Sequence, residues 1–299
     1  MQTNCEQRPS KIAKVPMVSQ QRLMFVLMGQ SNMSGRGAVA DLPHKDDAAS
    51  HRIFCFGQRT DQWQQAIDPL HADKPEKAGV GPALSFSHTV LHRLPAASAI
   101  YLVPCSWGGT ALSEWLPDGD KYKETVRRVR LSIETCTPPS SLAGVLWHQG
   151  ESDCGDTFNA TKHAEKSIRT VDAFRRELAQ PDLPWIVGEL GYFLDQQDQR
   201  FAQAGVVNQG IVQLPSQVAH CACVSAYGLG HRGDRLHFDT AAQAALGRRY
   251  ADAWLSIVGE RFGPVNRCDS EPMESPPLCF PHPNLAAPAE EVTSEAVID

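Results

Sequence analysis

Short apolar runs alternate with amphipathic stretches along most of this chain, and this alternation constrains its fold more than any other feature. A helix between two strands lets them lie parallel in one sheet, and such helices cover both faces of that sheet. The sequence therefore predicts a three-layer α/β/α domain with a mainly parallel central sheet. The predicted strands are residues 22–28, 52–56, 98–104, 143–148, 184–189 and 219–225, and the predicted helices are 82–94, 120–137, 159–179, 196–213 and 239–257.

The same reading divides the chain into three parts. Residues 21–262 carry the alternating pattern and are predicted to form one domain, which is within the usual size for a single core. Residues 1–20 are polar and are predicted to be a flexible N-terminal segment. Residues 263–299 are rich in Pro, Ser and Glu without periodicity, and are predicted to be a disordered tail.

Composition excludes several classes of partner. The net charge is −6 and no basic run occurs, so neither nucleic acid nor an anionic membrane is expected as a partner. The sequence has no apolar stretch long enough to span a bilayer and no apolar secretory signal, so a cytoplasmic location is expected. The histidines and cysteines lack the close spacing of metal ligands, and we expect no metal and no cofactor.

Ser31 follows the first apolar strand, in the run LMFVLMGQSNMSGRG at residues 23–37. Ser31 would stand at the carboxyl end of a parallel strand, the edge where open α/β sheets bind ligands. Its hydroxyl could act as a nucleophile there, although Gly, Ser and Asn also form ordinary turns. The pattern favours a nucleophile only if a base is found elsewhere in the chain.

Such a base is found in GDRLHFD, residues 233–239. Asp234 and His237 are three residues apart, so one loop could bring the carboxylate to the imidazole. A nucleophilic serine needs a base, and the base needs a group that fixes its tautomer. The motif is weak alone, but its place before the last predicted helix suits this role. Ser31, His237 and Asp234 are therefore predicted as a catalytic triad.

Two further strand ends offer hydrogen-bond donors. The strand in SAIYLVPCSWGGT, residues 98–110, runs into Gly108 and Gly109, where backbone N–H groups can approach a ligand. The strand in GVLWHQGESD, residues 144–153, runs into Gln149, whose amide can also donate. Preorganised donors of this kind stabilise an oxyanion as it forms.

The segments around Ser31, Gly108, Gln149 and His237 resemble, in their order and residue types, those of the SGNH (GDSL-like) hydrolases. Within these hydrolases the chain is most similar to carbohydrate esterase family 6 and the sialate O-acetylesterase domain. The resemblance implies an oxyanion hole made by the Ser31 N–H, Gly108 and Gln149. Gly109 is an alternative to Gly108 as the backbone donor to the oxyanion. Gly108 is favoured because of its offset to Thr110. The matching strings are GQSNMSGRG (29–37), PLHADKPEKAGVGPALSF (69–86), LVPCSWGGTALSEW (102–115), LWHQGESD (146–153) and DRLHFD (234–239).

Gln30, Asn32, Gly109 and Glu151 are predicted to bind substrate, although the family pattern also gives the QGESD block a structural or loop-shaping role. The resemblance implies a flavodoxin-like fold. It predicts a serine esterase that removes O-acetyl groups from carbohydrate, with acetylxylan favoured by the PLHADKPEKAGVGP string and sialate as the alternative. A non-catalytic carbohydrate-binding protein on the same fold is disfavoured by the intact triad residues. A peptidase is disfavoured because SGNH sites rarely suit amides. The sequence leaves the oligomeric state open.

Overall fold

The computed structural model describes residues 21–42 and 50–259. The predicted flexible segment 1–20 and the predicted tail 263–299 lie outside the described residues. The strands are β1 (Arg22–Gly29), β2 (Ile53–Phe56), β3 (Trp63–Gln65), β4 (Ala99–Ser106), β5 (Ser141–His148), β6 (Trp185–Gly188) and β7 (Cys221–Val224). The α-helices are α1 (Ser31–Ser34), α2 (Ala83–Leu91), α3 (Asp120–Thr135), α4 (Thr157–Glu177), α5 (Ala204–Gln217) and α6 (Thr240–Val258).

The strands form one sheet in the order β3-β2-β4-β1-β5-β6-β7. Every neighbouring pair is parallel except β2 and β3, which are antiparallel. The chain moves to one side of β1 to form β2–β4 and to the other side to form β5–β7. Ligands bind at such a reversal in strand order, beyond the carboxyl ends of the strands. The carboxyl ends of β1, β4 and β5 are therefore the expected location of a site.

Both faces of the sheet are buried, as the alternation along β1 shows. Met24, Val26 and Met28 face the core beneath α3, α4 and α5, whereas Phe25 and Leu27 face the core beneath α2 and α6. All five side chains are fully buried. A strand covered on both faces reads as a continuous apolar run, which is the pattern of residues 23–28. The predicted three-layer α/β/α fold is confirmed.

The structure differs from the prediction at two elements besides the short α1. β3 was missed because its sequence, Trp-Gln-Gln, lacks the apolar content that marks a buried strand, and it pairs only at the sheet edge. The helix predicted at 196–213 begins only at Ala204, after a short 3-10 turn at Gln199–Phe201. It also continues to Gln217 and includes Pro215, a residue that disfavours helix interiors.

Candidate active site

Ser31 lies at the carboxyl edge of the sheet, immediately beyond β1. At Gly29 the backbone φ is +130°, and an added Cβ would lie 2.0 Å from the carbonyl oxygen of His148 on β5. Only glycine lets the two strand ends approach this closely. Ser31 is then the first residue of α1, where its N–H has no acceptor within the helix.

The structure brings Ser31, His237 and Asp234 into one hydrogen-bonded chain. His237 Nε2 lies 3.0 Å from Ser31 Oγ, and His237 Nδ1 lies 2.7 Å from Asp234 Oδ2. Asp234 Oδ1 accepts hydrogen bonds from the backbone N–H groups of His237 (2.8 Å) and Leu236 (3.0 Å). With Nδ1–H donating to the carboxylate, Nε2 is left to accept the serine proton. This arrangement is that of a nucleophile, a base and an orienting carboxylate.

Electrostatics keep this base neutral near pH 7. Burial lowers the pKa of His237 below its ordinary value of 6.5, although Asp234 opposes that shift. Burial would raise the pKa of Asp234, but hydrogen bonds from the His237 backbone and ring and from Leu236 hold it below 3.8. Asp234 is therefore ionised and His237 is free to accept a proton.

Gly108 lies next to Ser31, but its amide has a partner within the protein. An added Cβ on Gly108 would come 3.4 Å from Ser31 Cβ. The Gly108 N–H donates to Asp73 Oδ2 at 2.7 Å, and Arg36 Nη2 donates to the same oxygen at 2.8 Å. Gly109 also lines the cleft, so both glycines remain candidates for the predicted donor.

Gln149 follows β5 as predicted, but its side chain is fully buried. Its Nε2 donates to Asp153 Oδ2 at 2.6 Å and to the Thr110 carbonyl at 3.2 Å, and its Oε1 lies 3.1 Å from His163 Nε2. Acting on an oxyanion would require the weaker bond, to Thr110, to be exchanged for the substrate oxygen. The oxyanion role of Gln149 therefore stays a prediction.

We expect Gln149→Ala to lower kcat on the order of a hundredfold with little change in KM, because an oxyanion donor acts mainly on the charged intermediate. Steady-state kinetics on p-nitrophenyl acetate and a thermal melt of the same protein measure both effects. A change in KM alone would make Gln149 a substrate-binding residue. Unchanged kinetics with a lower melting temperature would show that Gln149 only stabilises the fold, through its buried hydrogen bonds with Asp153 and His163.

The predicted substrate contact by Asn32 is corrected. Asn32 is fully buried and its amide bonds to Glu151, Leu236 and Phe238, so no polar group of its side chain is left for substrate. Glu151 borders the cleft, but its Oε1 accepts the hydrogen bond from Asn32. Gln30 also lines the cleft, and its Oε1 accepts from the backbone of Gly150 at 3.4 Å.

Arg36, which lines the cleft, and its neighbours Asp73 and His71 were not assigned roles from the sequence. The Asp73 side chain is only 1% exposed, and with Arg36 it forms a buried ion pair beside Gly108. Burial lowers the pKa of His71 to about 4, so it is neutral. Asp73 and Gly108 are thirty-five positions apart, and no short sequence motif joins residues so far apart, so their contact could not be predicted.

A cleft of about 490 Å³ opens above Ser31 and His237. Its lining is rich in cationic side chains: Arg36, Lys74, Lys77 and Arg200. Arg36 is paired with Asp73 and Arg200 with Asp198, whereas Lys74 and Lys77 form no ion pair within the described part of the chain. Among the described residues that line the cleft, Glu151 alone is acidic, and burial raises its pKa to about 7.

Within residues 21–42 and 50–259, no group of three or more His, Cys, Asp or Glu side chains is arranged to hold a metal ion. In the same two ranges, no helix is long and apolar enough to cross a membrane.

The fold and the triad together define a serine hydrolase built on a parallel α/β sheet, with its nucleophile at the end of the central strand. The chain belongs to the carbohydrate esterase family described as sialic acid-specific acetylesterase, whose family pattern matches residues 21–256. The resemblance to the sialate O-acetylesterase domain drawn from the sequence is thereby confirmed, and the chain is a carboxylic ester hydrolase.

The chain is also similar to individual members. It is 33% identical to a probable carbohydrate esterase of Arabidopsis thaliana over 78% of this chain and 90% of the relative. A solved Arabidopsis structure superposes with a TM-score of 0.68 at 32% identity, covering 78% of this chain and 98% of that one. A probable 9-O-acetyl-N-acetylneuraminic acid deacetylase of Escherichia coli is 22% identical, over 80% of this chain and 97% of the relative.

Proposed function

We propose that this protein removes O-acetyl groups from carbohydrate through an acyl-enzyme intermediate. The observation that carries the proposal is the continuous hydrogen-bonded chain from Ser31 Oγ through His237 to Asp234, at the floor of an open cleft. Family membership and the names of the Arabidopsis and E. coli relatives support an acetylated sugar as the substrate.

The reaction follows from the geometry in two halves. Ser31 Oγ attacks the acetyl carbonyl carbon while its proton passes to His237 Nε2, and Asp234 stabilises the imidazolium. The tetrahedral intermediate collapses as the sugar oxygen takes that proton and leaves, so the acetyl group remains on Ser31. Water then gives a proton to His237 and attacks the acetyl carbon. Acetate leaves, and the proton on His237 returns to Ser31 Oγ.

Acetate release from acetylated xylan, pectin and sialoglycan tests the proposal, with burst release of p-nitrophenol from its acetate as a general ester control. We expect acetate from at least one polysaccharide or glycan, and none with the Ser31→Ala variant. Carbohydrate binding without acetate release from any substrate in the panel would instead support the non-catalytic alternative.

The charge of the cleft favours a second candidate beside neutral acetylxylan: an acetylated sugar that carries a carboxylate, as sialic acid does. Lys74 and Lys77 border the cleft, and neither forms an ion pair with another residue that the structure describes. An acidic sugar would gain from both charges, whereas acetylxylan would gain little. Because these lysines are near the surface, their attraction should weaken as salt rises.

We expect the double variant Lys74→Gln/Lys77→Gln to raise KM for O-acetyl sialic acid by about tenfold, with kcat little changed, because the charges bind substrate in both ground and transition states. KM for acetylated xylan should stay the same. Lys162→Gln, an exposed lysine of α4 paired with Glu165, is the matched control. Equal effects on the acidic and neutral substrates would remove the charge argument.

A further inference from the structure

The base of the triad reaches Ser31 from a distant part of the sheet. His237 belongs to the loop between β7 and α6, and β7 is the strand at the far edge, separated from β1 by β5 and β6. The loop must return across these strands to place the imidazole over Ser31. Its residues 232–235 are exposed, so apolar packing alone does not fix its position.

The side chain of Asn32, the residue after the nucleophile, is hydrogen-bonded to this loop on both sides of His237. Asn32 Oδ1 accepts the backbone N–H of Phe238 at 3.1 Å, and Asn32 Nδ2 donates to the backbone carbonyl of Leu236, also at 3.1 Å. Leu236 and Phe238 are the two residues that flank His237. A single amide, one residue beyond Ser31, therefore holds the backbone on both sides of the catalytic base.

Asn32 is itself held from two other elements. Its Nδ2 also donates to Glu151 Oε1, in the segment after β5. Its backbone carbonyl accepts a hydrogen bond from Gln243 Nε2 of α6 at 3.0 Å. Asn32 and Gln243 are fully buried and Glu151 is 3% exposed, so water does not compete for these bonds. Glu151 thus fixes the side-chain amide of Asn32, and Gln243 fixes its backbone.

From these contacts we infer that Asn32, anchored by Glu151, is the positioning residue that holds His237 Nε2 within hydrogen-bonding distance of Ser31 Oγ. The inference rests on the proposed function, since it assigns Asn32 a role in that reaction. Asn32 does not touch the reacting atoms. It acts through the Leu236 and Phe238 backbone, and a shift of the base by an ångström is enough to lower the rate of proton transfer.

The test compares Asn32→Ala with Asn208→Ala. Asn208 is the matched control because it also uses both amide atoms on backbone groups, the N–H (2.7 Å) and carbonyl (3.1 Å) of Leu190, and bonds to neither neighbour of His237. We expect Asn32→Ala to lower kcat on p-nitrophenyl acetate by about a hundredfold with KM changed less than threefold. Asn208→Ala should lower the melting temperature while kcat stays near wild type.

Exchanging the donor and the acceptor of the Asn32–Glu151 hydrogen bond distinguishes a positioning role of Asn32 from a general loss of packing. Asn32→Asp removes the donor and places a second carboxylate against Glu151, so it should be as slow as Asn32→Ala. Adding Glu151→Gln supplies a donor from the other side and should raise kcat about tenfold above Asn32→Asp alone, the non-additivity expected of directly coupled residues. If the effects of Asn32→Asp and Glu151→Gln on kcat simply multiplied in the double variant, the inference would be wrong.

Amide hydrogen exchange at Phe238 gives a readout that does not depend on catalysis. The Phe238 N–H should exchange much faster in Asn32→Ala and at the wild-type rate in Asn208→Ala. If Phe238 exchange and kcat were both unaffected by Asn32→Ala, the inference would be wrong while the esterase activity stood. If the wild-type protein hydrolysed no ester at all, the proposed function would fail, and Phe238 exchange alone would decide whether Asn32 holds the loop.

Discussion

Replacing Ser31 with alanine is expected to lower kcat by about a millionfold, to the level of background hydrolysis, because the covalent route is lost with the hydroxyl. The loss removes one hydrogen bond, to His237, and leaves the backbone of β1 and α1 unchanged. The fold should therefore survive, with a change in stability of about 1 kcal/mol or less. Acetate release and a thermal melt on the same preparation measure the two effects.

A folded Ser31→Ala protein with wild-type turnover would remove Ser31 from the mechanism. Ser34→Ala is the matched control, since Ser34 lies in the same helical turn and is also buried. Its hydroxyl is not bonded to His237, so its removal should leave kcat within a fewfold of wild type.

The second large effect is expected for Asp234→Asn, which should lower kcat by about ten-thousandfold with little change in KM. In this variant the amide oxygen keeps the two backbone N–H bonds, so the NH2 group faces His237 Nδ1 and donates to it. The imidazole then adopts the tautomer that leaves Nε2 protonated. Asp239→Asn is the matched control, two residues beyond His237. Its carboxylate accepts the Ala242 N–H at the start of α6, a role that asparagine also fills.

The same variant has a signature in its pH profile. Activity requires neutral His237, so kcat/KM rises with pH through the pKa of His237 and then levels off. Burial already holds that pKa below 6.5, and the negative charge of Asp234 is what pulls it upward. Without that charge the pKa falls further, so the residual activity of Asp234→Asn should persist to a lower pH than in wild type. A profile unmoved from wild type would show that another carboxylate orients His237.

Features written in local sequence were predictable. The continuous apolar run of β1 indicated a strand buried on both faces. The spacing of Asp234 and His237 indicated one loop carrying both groups, and the structure places them 2.7 Å apart. The position of Ser31 at the end of a strand was also predictable, whereas its hydrogen bond to His237 depends on the folded structure.

Features that depend on long-range contacts were not predictable in the same way. Asn32 stood next to the nucleophile and was taken for a substrate contact, because nothing in the sequence shows that the chain after β7 returns to it. The ion pair of Arg36 with Asp73 joins two loops in the same manner. Gln149 was placed correctly at its strand end, but the sequence could not show that Asp153 and Thr110 would bind its amide.

The central claim is that Ser31 is a nucleophile activated by His237, and chemical trapping tests it most directly. The intact protein is treated with diisopropyl fluorophosphate until esterase activity is lost, and its peptides are mapped by mass spectrometry. Activation of Ser31 by His237 predicts one phosphoryl adduct per chain, on Ser31, forming in step with the loss of activity and absent in His237→Ala. Complete inactivation with the adduct on a different residue, and Ser31 unmodified, would contradict it.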